Sequence, residues 1–472
     1  MGKDQPLRRG KDPITIPSFG EKDEKQECTL VSCRNCGTCP RPLGEGGGDP
    51  AVAGEPGEEV SGSFSKQGPS GEQMSKYCVM MVAGERSGDL YGAELAAELK
   101  TQLDAVDVFG CGGDAMRQAG VQTTVDSHQF AMVGITEIFS GLPRAYRAFQ
   151  ALMAEVDRRR PQLAILIDSP SLNLRLAKRL KRREIPVVYF IGPQIWAWKK
   201  WRMRHVRQRV DKMLCIFDFE ERIYQRAGVP VEYVGHPLAE MMARRPRLPR
   251  LDFFAKAGLD PKTPTVALLP GSREIEVAYN LPTMLDAARR LTVQRGRESL
   301  QFVLALASAP DAEHLETKML ASYATGVTVR AVTRATYDAL EHSDVAVVAS
   351  GTATVEAALL QCPMVVVYRV SPVTAFFARF MIDVPFYSMV NLLAGNPIVK
   401  ELIQQDFTEW AVADEVEHLL DHPEKRRKMV EELAVIRSHL DAGGAMRRTA
   451  GAIVHFLQEQ VTDSRKVGIG TS

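Results

Sequence analysis

The sequence has no uncharged apolar run of the roughly 20 residues that a membrane-spanning helix needs. The most apolar candidate, residues 373–382, is too short and contains Arg379. The amino terminus is polar and lacks the apolar core of a secretory signal peptide. An excess of one charge is also missing, because 59 lysines and arginines face 58 aspartates and glutamates in 472 residues. These absences indicate a cytosolic chain and disfavour nucleic acid as a partner.

A complete metal-binding motif is missing as well. Cys33, Cys36 and Cys39 follow Cys28 with the spacing C-x2-C-x2-C, which can hold a metal or part of an iron–sulfur cluster. No second cysteine pair or histidine follows, and the flanks are rich in Gly and Pro. We therefore favour the absence of a metal over a metal site. The remaining cysteines are predicted to be reduced thiols in apolar or turn surroundings: Cys78, Cys111, Cys215 and Cys362.

Residues 1–73 differ from the rest of the chain in composition. They hold 13 Gly and 8 Pro, with nine basic and twelve acidic residues and few large apolar ones. Such a segment cannot bury enough apolar surface to offset the loss of chain entropy, so we predict a disordered extension. The functional chain is predicted to begin near Met74. Loss of all activity on deletion of residues 1–73 would contradict this prediction.

From residue 77 onward, short apolar strands alternate with helical patterns such as 91–103 and 142–159. We predict strands at 77–83, 106–110, 163–167, 187–191 and 213–216, and a second series at 266–269, 302–307, 327–331, 345–348 and 364–368. This alternation predicts parallel sheets with helices on both faces. The stretch 235–250, rich in Pro and Arg, separates the two series and is typical of a linker. The expected fold is α/β, with two Rossmann-like doubly wound domains and a cleft between them.

The predicted boundaries are an extension at 1–73, an amino-terminal domain at 74–240, a carboxy-terminal domain at 241–440 and a terminal helix and tail at 441–472. Helices within 411–460 are expected to pack on the first domain or on a second subunit of a homodimer. Ligands of doubly wound sheets bind beyond the carboxyl ends of the strands. The residues that follow each strand are therefore the candidates for chemistry.

The most informative of these loops follows the strand at 345–348. It consists of small residues before a helix: Ser350, Gly351, Thr352, Ala353 and Thr354. Unpaired N–H groups and the positive end of the helix dipole suit a phosphate there, and Gly351 lets a ligand approach the backbone. Glu356 is placed to accept hydrogen bonds from sugar hydroxyls. A capped strand-to-helix turn without a ligand is an equally good interpretation.

Two loops of the first series carry candidate residues. In AGERSGD, residues 83–89, Gly84 permits close approach, while Ser87 or Asp89 is able to cap the next helix. Asp168 ends an apolar strand and is followed by SPSLN. A carboxylate there is partly desolvated, which raises its pKa toward that of a general base; an Asx turn or helix cap is the alternative. FGCGGD, residues 109–114, lacks the G-x-G-x-x-G spacing of a dinucleotide loop.

The second series adds three polar candidates. Arg273 in LLPGSR is suited to a bidentate phosphate contact, with a surface ion pair as the alternative. Asn391 and Gln404 carry amides that can fix a sugar or base, or can instead satisfy loop backbone. His236 in VGHP is predicted to be structural.

Residues 173–212 carry thirteen Lys/Arg against two acidic residues. Within them, aromatic and cationic residues alternate: Trp196, Trp198, Lys199, Lys200, Trp201 and Arg202. Such a segment can lie on an anionic membrane or bind nucleic acid, and the small net charge disfavours the latter. The alternative is that the Trp residues are core and the charges merely solvated.

Several motifs in order resemble the lipid-A-disaccharide synthases, inverting enzymes of glycosyltransferase family 19. They are AGERSGD, GITEIFSGLP, IDSPSLNLR, GPQIWAWKKWR, VGHPL, LLPGSR, SGTATVEAAL and NLLAGNPIVKELIQ, and the likeness extends over residues 74–460. The resemblance implies a GT-B fold and a role in making the lipid A of Gram-negative outer membranes. The implied donor is UDP-2,3-diacylglucosamine and the acceptor is 2,3-diacylglucosamine 1-phosphate (lipid X). No cofactor is expected, since GT-B enzymes generally need no bound cation.

Carried onto this sequence, the resemblance makes Asp168 the general base. It puts the UDP site at Arg273, at the loop 350–354 and at Glu356, with Asn391 and Gln404 nearby. The first loop, with Gly84, Glu85 and Ser87, corresponds to the family's cleft loop under the donor. Because both substrates carry acyl chains, the implied enzyme is peripheral on the inner membrane. The candidates for that contact are the basic Trp-bearing segment and the apolar stretch 373–387.

Other functions fit parts of the sequence. The transferase that makes the peptidoglycan lipid intermediate has a similar nucleotide loop, and a UDP-N-acetylglucosamine 2-epimerase has a similar pair of domains. Neither explains IDSPSLNLR together with GPQIWAWKKWR. A catalytically idle membrane-binding scaffold is disfavoured by the joint presence of Asp168, Arg273 and Glu356. A nicotinamide-dependent oxidoreductase is disfavoured by the incomplete glycine fingerprint.

Overall fold

A computed structural model describes residues 77–130, 135–194, 202–294, 296, 299–306, 326–372, 374–375, 384–440 and 443–469. The predicted extension at 1–73, including its cysteine cluster, lies outside the described residues. Much of the apolar stretch 373–387 does so too. Seven residues of the basic segment, 195–201, are also outside, and they include Trp196, Trp198, Lys199, Lys200 and Trp201.

The first sheet has seven described strands, all parallel, in the order β3-β2-β1-β4-β5-β6-β7. They are β1 (Tyr77–Ala83), β2 (Val106–Gly112), β3 (Gln122–Asp126), β4 (Leu163–Ile167), β5 (Val187–Phe190), β6 (Lys212–Cys215) and β7 (Val231–Tyr233). The helices between them are α1 (Arg86–Gln102), α2 (Asp114–Gln118), α3 (Ile135–Arg159), α4 (Pro170–Lys181), α5 (Met203–Arg209) and α6 (Asp218–Arg226). The strand order reverses between β1 and β4, which marks a ligand-binding edge.

The second sheet has six described strands, also parallel, in the order β10-β9-β8-β11-β12-β13. They are β8 (Thr265–Leu269), β9 (Gln301–Leu306), β10 (Thr328–Thr333), β11 (Val345–Ala349), β12 (Met364–Tyr368) and β13 (Lys400–Ile403). The associated helices are α9 (Glu274–Arg289), α10 (Thr336–His342), α11 (Thr352–Leu359), α12 (Met389–Ala394), α13 (Glu409–Asp421) and α14 (Pro423–Leu440). The order reverses between β8 and β11.

All ten predicted strands are present, with ends within two residues of the prediction. The sequence analysis missed β3, β7 and β13, and each of them lies at an edge of its sheet. Edge strands are short and partly solvated, so they lack the continuous apolar run by which the central strands were found. The burial of β3 and β13 shows this, since both include exposed residues.

The core explains why the central strands are apolar throughout. In β1, Val79 and Met81 point into one apolar cluster, while Met80 and Val82 point into another on the opposite face of the sheet. Successive side chains of a strand alternate between faces, so a strand covered on both sides needs apolar residues at every position. β4, β8 and β11 are likewise buried at each residue.

The stretch predicted as a linker, 235–250, is more ordered than its Pro and Arg content suggested. His236 caps a helix, α7 (Pro237–Arg244), by accepting a hydrogen bond from the N–H of Leu238 at 3.2 Å. A short extended segment then leads to α8 (Arg250–Ala257). Proline at the first helical position and a polar residue before it favour a helix start, and this local signal was overlooked.

The last described helix, α15 (Ala445–Ile469), returns to the first sheet and packs against α1. The side-chain Nε2 of Gln102 donates to the carbonyl of Arg447 at 3.2 Å. Nε of Arg448 donates to the carbonyl of Val234 at 2.9 Å, directly after β7. The first of the two predicted placements of the terminal helices, on the chain's own first domain, is therefore the one observed for α15.

Candidate active site

The loops that follow β1 and β4 meet at the carboxyl edge of the first sheet. These strands are neighbours, with Ala83 opposite Ile167. A Cβ atom added to Gly84 would lie 2.7 Å from Oγ of Ser169. Only glycine therefore allows the two loops to approach this closely. The contact brings the predicted cleft loop beside Asp168.

Asp168 is partly buried at this edge, and both it and Ser169 have left-handed backbone, with φ of 50° and 43°. Burial raises the pKa of Asp168 to about 6, and the nearby carboxylate of Glu85 adds to that effect. The N–H of Ser169 and the guanidinium of Arg273 oppose it. At neutral pH most of the carboxylate is still ionised. A carboxylate of this basicity can accept a proton from a hydroxyl.

The loop after β11 leads into α11 with its amino terminus uncapped. Gly351 is the cap residue, no side chain in the described part of the chain bonds to the first N–H groups, and Thr352 is exposed beside them. The hydroxyls of the neighbouring residues are used within the protein. Thr354 Oγ1 donates to the carbonyl of Gly351 at 2.8 Å, and Ser350 Oγ donates to the carbonyl of Tyr387 at 2.9 Å. The free N–H groups and the helix dipole together favour an anion at this point.

Two other helices at these edges have amino termini already occupied by carboxylates. Asp89, on α1, accepts hydrogen bonds from the N–H groups of Gly113 at 2.6 Å, Ala115 at 3.0 Å and Met116 at 3.1 Å. Asp89 therefore caps α2, and the prediction that it caps its own helix is wrong. The same contact explains why a glycine stands at position 113 in FGCGGD, because a Cβ at Gly113 would lie 2.6 Å from the Asp89 carboxylate. Glu276 closes the start of α9 in the same way.

Arg273 precedes α9 at the edge of the second sheet, and its side chain is 62% exposed. Its Nη2 lies 3.3 Å and 3.2 Å from the two carboxylate oxygens of Glu85, which follows β1 of the first sheet. A second, longer contact of 3.7 Å joins Arg273 to Glu276. The ion pair that was the alternative prediction for Arg273 thus exists, and it links the two sheet edges that carry the candidate site.

Glu356 lies in α11, partly buried, behind the open helix terminus. The hydroxyl of Tyr337, at the start of α10, donates to its Oε1 at 3.3 Å. Burial raises the pKa of Glu356 to about 7, and the Tyr337 hydrogen bond opposes that shift. Both protonation states are therefore populated near neutral pH. As a carboxylate it can accept hydrogen bonds from a ligand's hydroxyls.

The amide of Asn391 is buried and fully engaged by the protein. Its Nδ2 donates to the carbonyl of Val399 at 2.9 Å and to Oε1 of Glu401 at 2.8 Å, and its Oδ1 accepts from the N–H of Val399 at 3.0 Å. Gln404 likewise pairs with the backbone of Val370, at 3.3 Å and 3.0 Å, when its amide is oriented to satisfy both groups. Each amide thus forms hydrogen bonds with backbone groups of the protein. This is the second of the two uses predicted for them, the first being contact with a sugar or base.

Glu401 was missed by the sequence analysis although it organises this region. Its carboxylate accepts hydrogen bonds from the N–H groups of Tyr387 and Ser388, from the Ser388 hydroxyl and from Asn391, at 2.7–2.9 Å. Through Tyr387, whose carbonyl binds Ser350, it supports the loop before α11. Its sequence signal was weak, because β13 is only four residues long and another charged residue, Lys400, precedes Glu401 in it.

The remaining predicted residues are more peripheral. Ser87 lies in the first turn of α1, and Arg202 directly precedes α5, both partly buried. Within the described ranges, no three His, Cys, Asp or Glu side chains come together as a group able to hold a metal ion. None of the described helices is both long and apolar enough to cross a membrane.

A family model described as "Lipid-A-disaccharide synthetase" matches residues 79–454. The chain belongs to the lipid-A-disaccharide synthase family. The lipid-A-disaccharide synthase of Solibacter usitatus is 42% identical over 386 residues, which cover 81% of this chain and 98% of that protein. The one from Myxococcus xanthus is 41% identical over 383 residues, covering 80% and 97%. As a member of this family the chain is an enzyme, a glycosyltransferase, as the sequence motifs indicated.

Solved structures with the same fold are more distant than these synthases. UDP-GlcNAc 2-epimerase from Neisseria meningitidis, bound to UDP-GlcNAc, has a TM-score of 0.56 at 13% identity, over 81% of this chain and all of that one. Arabidopsis thaliana UGT89C1, complexed with UDP, has a TM-score of 0.54 at 14% identity, with coverage of 81% and 100%. These similarities confirm the predicted GT-B fold of the chain, with two parallel-sheet α/β halves.

Proposed function

We propose that the chain transfers 2,3-diacylglucosamine from UDP-2,3-diacylglucosamine to the 6-hydroxyl of lipid X, with inversion. The products are the β-1,6-linked lipid A disaccharide 1-phosphate and UDP. The observation that carries the proposal is the ion pair between Glu85 and Arg273. It joins the edge of the first sheet, where Asp168 follows β4, to the edge of the second sheet, where the amino terminus of α11 follows β11. Inverting transfer needs one base and one stabilised leaving group, on opposite sides of the reacting carbon.

In the proposed step, Asp168 accepts the proton of the acceptor's 6-hydroxyl while that oxygen attacks C1 of the donor sugar. The new O6–C1 bond forms as the bond from C1 to the UDP oxygen breaks, and UDP leaves with the electron pair. The pKa of about 6 for Asp168 suits this role, because the group is ionised at pH 7 yet more basic than an ordinary aspartate.

The leaving diphosphate would be held by the open N–H groups of α11 and by the guanidinium of Arg273. Both are positive, and both are arranged before the substrate arrives, so little reorganisation is needed as charge develops. Since Arg273 is paired with Glu85, the diphosphate would displace a carboxylate that is only moderately held at 3.2 Å. Glu356 would accept hydrogen bonds from the ribose hydroxyls.

The decisive test is UDP release by the purified full-length chain in detergent, with the donor alone and then with lipid X. Release that requires lipid X, together with the disaccharide 1-phosphate seen by mass spectrometry, is expected. UDP release without lipid X would instead indicate a hydrolase or an epimerase. Asp168→Asn should lower kcat by about 10²–10⁴-fold, the usual contribution of a general base, with UDP binding retained. Normal turnover of this variant would contradict the role of Asp168.

We also propose that the enzyme works at the inner membrane as a peripheral protein, because acylated substrates reside there. Support comes from a groove of about 400 Å³ between α4 and α5. Its lining residues are mostly cationic: Lys178, Lys181, Arg204, His205, Gln208 and Arg209. Burial and the neighbouring cations Arg209 and Arg204 lower the pKa of His205, as expected for a positive local potential. Such a surface attracts anionic lipid headgroups.

The membrane proposal is tested by flotation with phosphatidylglycerol vesicles, using phosphatidylcholine vesicles as the comparison. Lys178→Glu with Arg204→Glu should reduce binding to the anionic vesicles only, and added salt should do the same to the unaltered protein. Replacement of Trp198, Lys199, Lys200 and Trp201 should weaken binding to both. If neither set of changes alters flotation, the membrane-facing surface lies elsewhere.

A further inference from the structure

The backbone turn that carries Asp168 is unusual. Asp168 and Ser169 are consecutive non-glycine residues with φ of 50° and 43°, a region that side chains disfavour. The N–H of Asp168 still continues the sheet, donating to the carbonyl of Phe190 at 3.1 Å. The backbone therefore changes from extended at Ile167, the last residue of β4, to left-handed at Asp168, the next residue. Such a conformation persists only where the surroundings hold it in place.

Within the turn, the Asp168 carboxylate accepts a hydrogen bond from the N–H of Ser169, but the Ser169 side chain adds nothing. Ser169 caps α4 without a side-chain hydrogen bond, and its buried Oγ has no partner among the described residues. Support comes instead from outside. The carbonyl of Asp168 accepts hydrogen bonds from the hydroxyl of Tyr189 at 2.5 Å and from Nδ2 of Asn173 at 2.7 Å. The same Nδ2 donates to the carbonyl of Ile167 at 2.9 Å.

Both donors lie on regular secondary structure. Tyr189 belongs to β5, the strand next to β4, and Asn173 lies in the first turn of α4; each side chain is fully buried. A side chain from a strand and a side chain from a helix thus both donate hydrogen bonds to the carbonyl of Asp168. This arrangement can fix the peptide plane that follows Asp168, and with it the direction in which the Asp168 side chain leaves the backbone.

We infer that Tyr189 and Asn173 are positioning residues for the proposed base, holding the left-handed turn that sets the place of the Asp168 carboxylate. The inference rests on the proposed role of Asp168. Neither side chain needs to touch a substrate. What they supply is orientation, and small errors in the orientation of a reacting group reduce the rate of the chemical step while leaving binding intact.

The test compares Tyr189→Phe and Asn173→Ala with the unaltered full-length enzyme. Each variant should lower kcat by about tenfold, with KM for both substrates and the Kd for UDP unchanged, since only the base is misplaced. The acid limb of the kcat/KM profile should also move to lower pH, because a released carboxylate is better hydrated. The groups facing Asp168 otherwise stay the same: Glu85, Tyr91 and Arg273.

Tyr224→Phe is the matched control. Tyr224 is as buried as Tyr189, and its hydroxyl also donates to one backbone carbonyl, that of Pro193, at 2.9 Å. It should lower the Tm as much as Tyr189→Phe without moving the acid limb. A Tyr189→Phe enzyme with lowered Tm but unchanged kcat and acid limb would overturn the inference.

The experiment distinguishes three further outcomes. If Asn173→Ala fails to fold, the isosteric change Tyr189→Phe decides alone, because it removes a single hydroxyl. If Asp168→Asn retains normal turnover, the base assignment itself fails. If Asp168→Asn is inactive and Tyr189→Phe is indistinguishable from the unaltered enzyme, only the positioning role fails.

Discussion

The guanidinium of Arg273 lies 3.2 Å from the carboxylate of Glu85, although 188 residues separate the two in the chain. Each residue follows the first strand of its sheet, so the pair joins equivalent corners of the two halves. Both also act on Asp168, whose pKa is raised by burial and by Glu85 and lowered by Arg273. The two residues whose ion pair links the halves are therefore also the two charged residues that shift the pKa of the proposed base.

Replacing Glu85 with Gln should make Asp168 more acidic, because a neutral amide no longer disfavours the ionised carboxylate. The acid limb of kcat/KM, expected near pH 6 in the unaltered enzyme, should shift to lower pH. A pH–rate profile measures this directly. Glu94→Gln is the control and should leave the limb in place, because Glu94 lies on α1, the helix that Glu85 precedes, but is paired with Arg244 at 3.5 Å. An unmoved limb in Glu85→Gln would show that the two carboxylates are uncoupled.

Replacing Arg273 with Ala should weaken UDP binding by about 10- to 100-fold, the usual effect of losing a charge-assisted hydrogen bond to phosphate. Binding of uridine, which has no phosphate, should be unaffected. Titration calorimetry with both ligands separates the two contributions. Arg247→Ala is the matched control, since Arg247 is 58% exposed and also forms an ion pair, with Glu341 at 3.4 Å. Equal losses for UDP and uridine would argue against a phosphate contact.

UDP affinity should rise as the pH is raised through about 7, because Glu356 binds ribose hydroxyls best when ionised. Tyr337→Phe should move this rise to higher pH, since it removes a hydrogen bond that stabilises the carboxylate. The control is Glu356→Gln, which has no titrating group at this position. Any pH dependence of its UDP affinity comes from other groups, including the nucleotide's own phosphates, and is subtracted from the curve of the unaltered protein. Parallel pH curves for the unaltered protein and Glu356→Gln would remove Glu356 from the site.

The stability of the protein should fall on mild acidification because of His236. This residue is 3% exposed, and burial lowers its pKa to about 4. A base with a depressed pKa binds fewer protons folded than unfolded, so its contribution is complete above the ordinary pKa of about 6.5 and is lost as the pH falls toward 4. Between pH 7.5 and 5 the loss should be about 2 kcal/mol.

His236→Asn supplies the comparison for that loss. Asn also accepts the hydrogen bond that starts α7, but it does not titrate. Urea unfolding at pH 7.5 and 5 should therefore show a smaller drop in the free energy of unfolding for the variant than for the unaltered protein. Equal drops would mean that other groups, and not His236, cause the acid sensitivity.

Much of this fold could be predicted because its central strands are covered on both faces. Strands such as β4 and β11 are apolar at each position, and the small residues that follow them, as in the loop 350–354, are equally visible. The edge strands β3, β7 and β13 could not be found in this way. They are partly exposed, and the apolar pattern that identifies a buried strand is absent from them.

By itself the sequence determined the two parallel sheets, the family and the chemical types of the candidate site residues, since local periodicity and ordered motifs carry that information. Only the tertiary structure decided which groups are already occupied. Asp89 caps a helix other than its own, and the amide of Asn391 is hydrogen-bonded to Val399 and Glu401. The pairing of Arg273 with Glu85 is of the same kind. These contacts join residues whose sequence spacing says nothing of their distance, because it is the packing of strands and helices that brings them together.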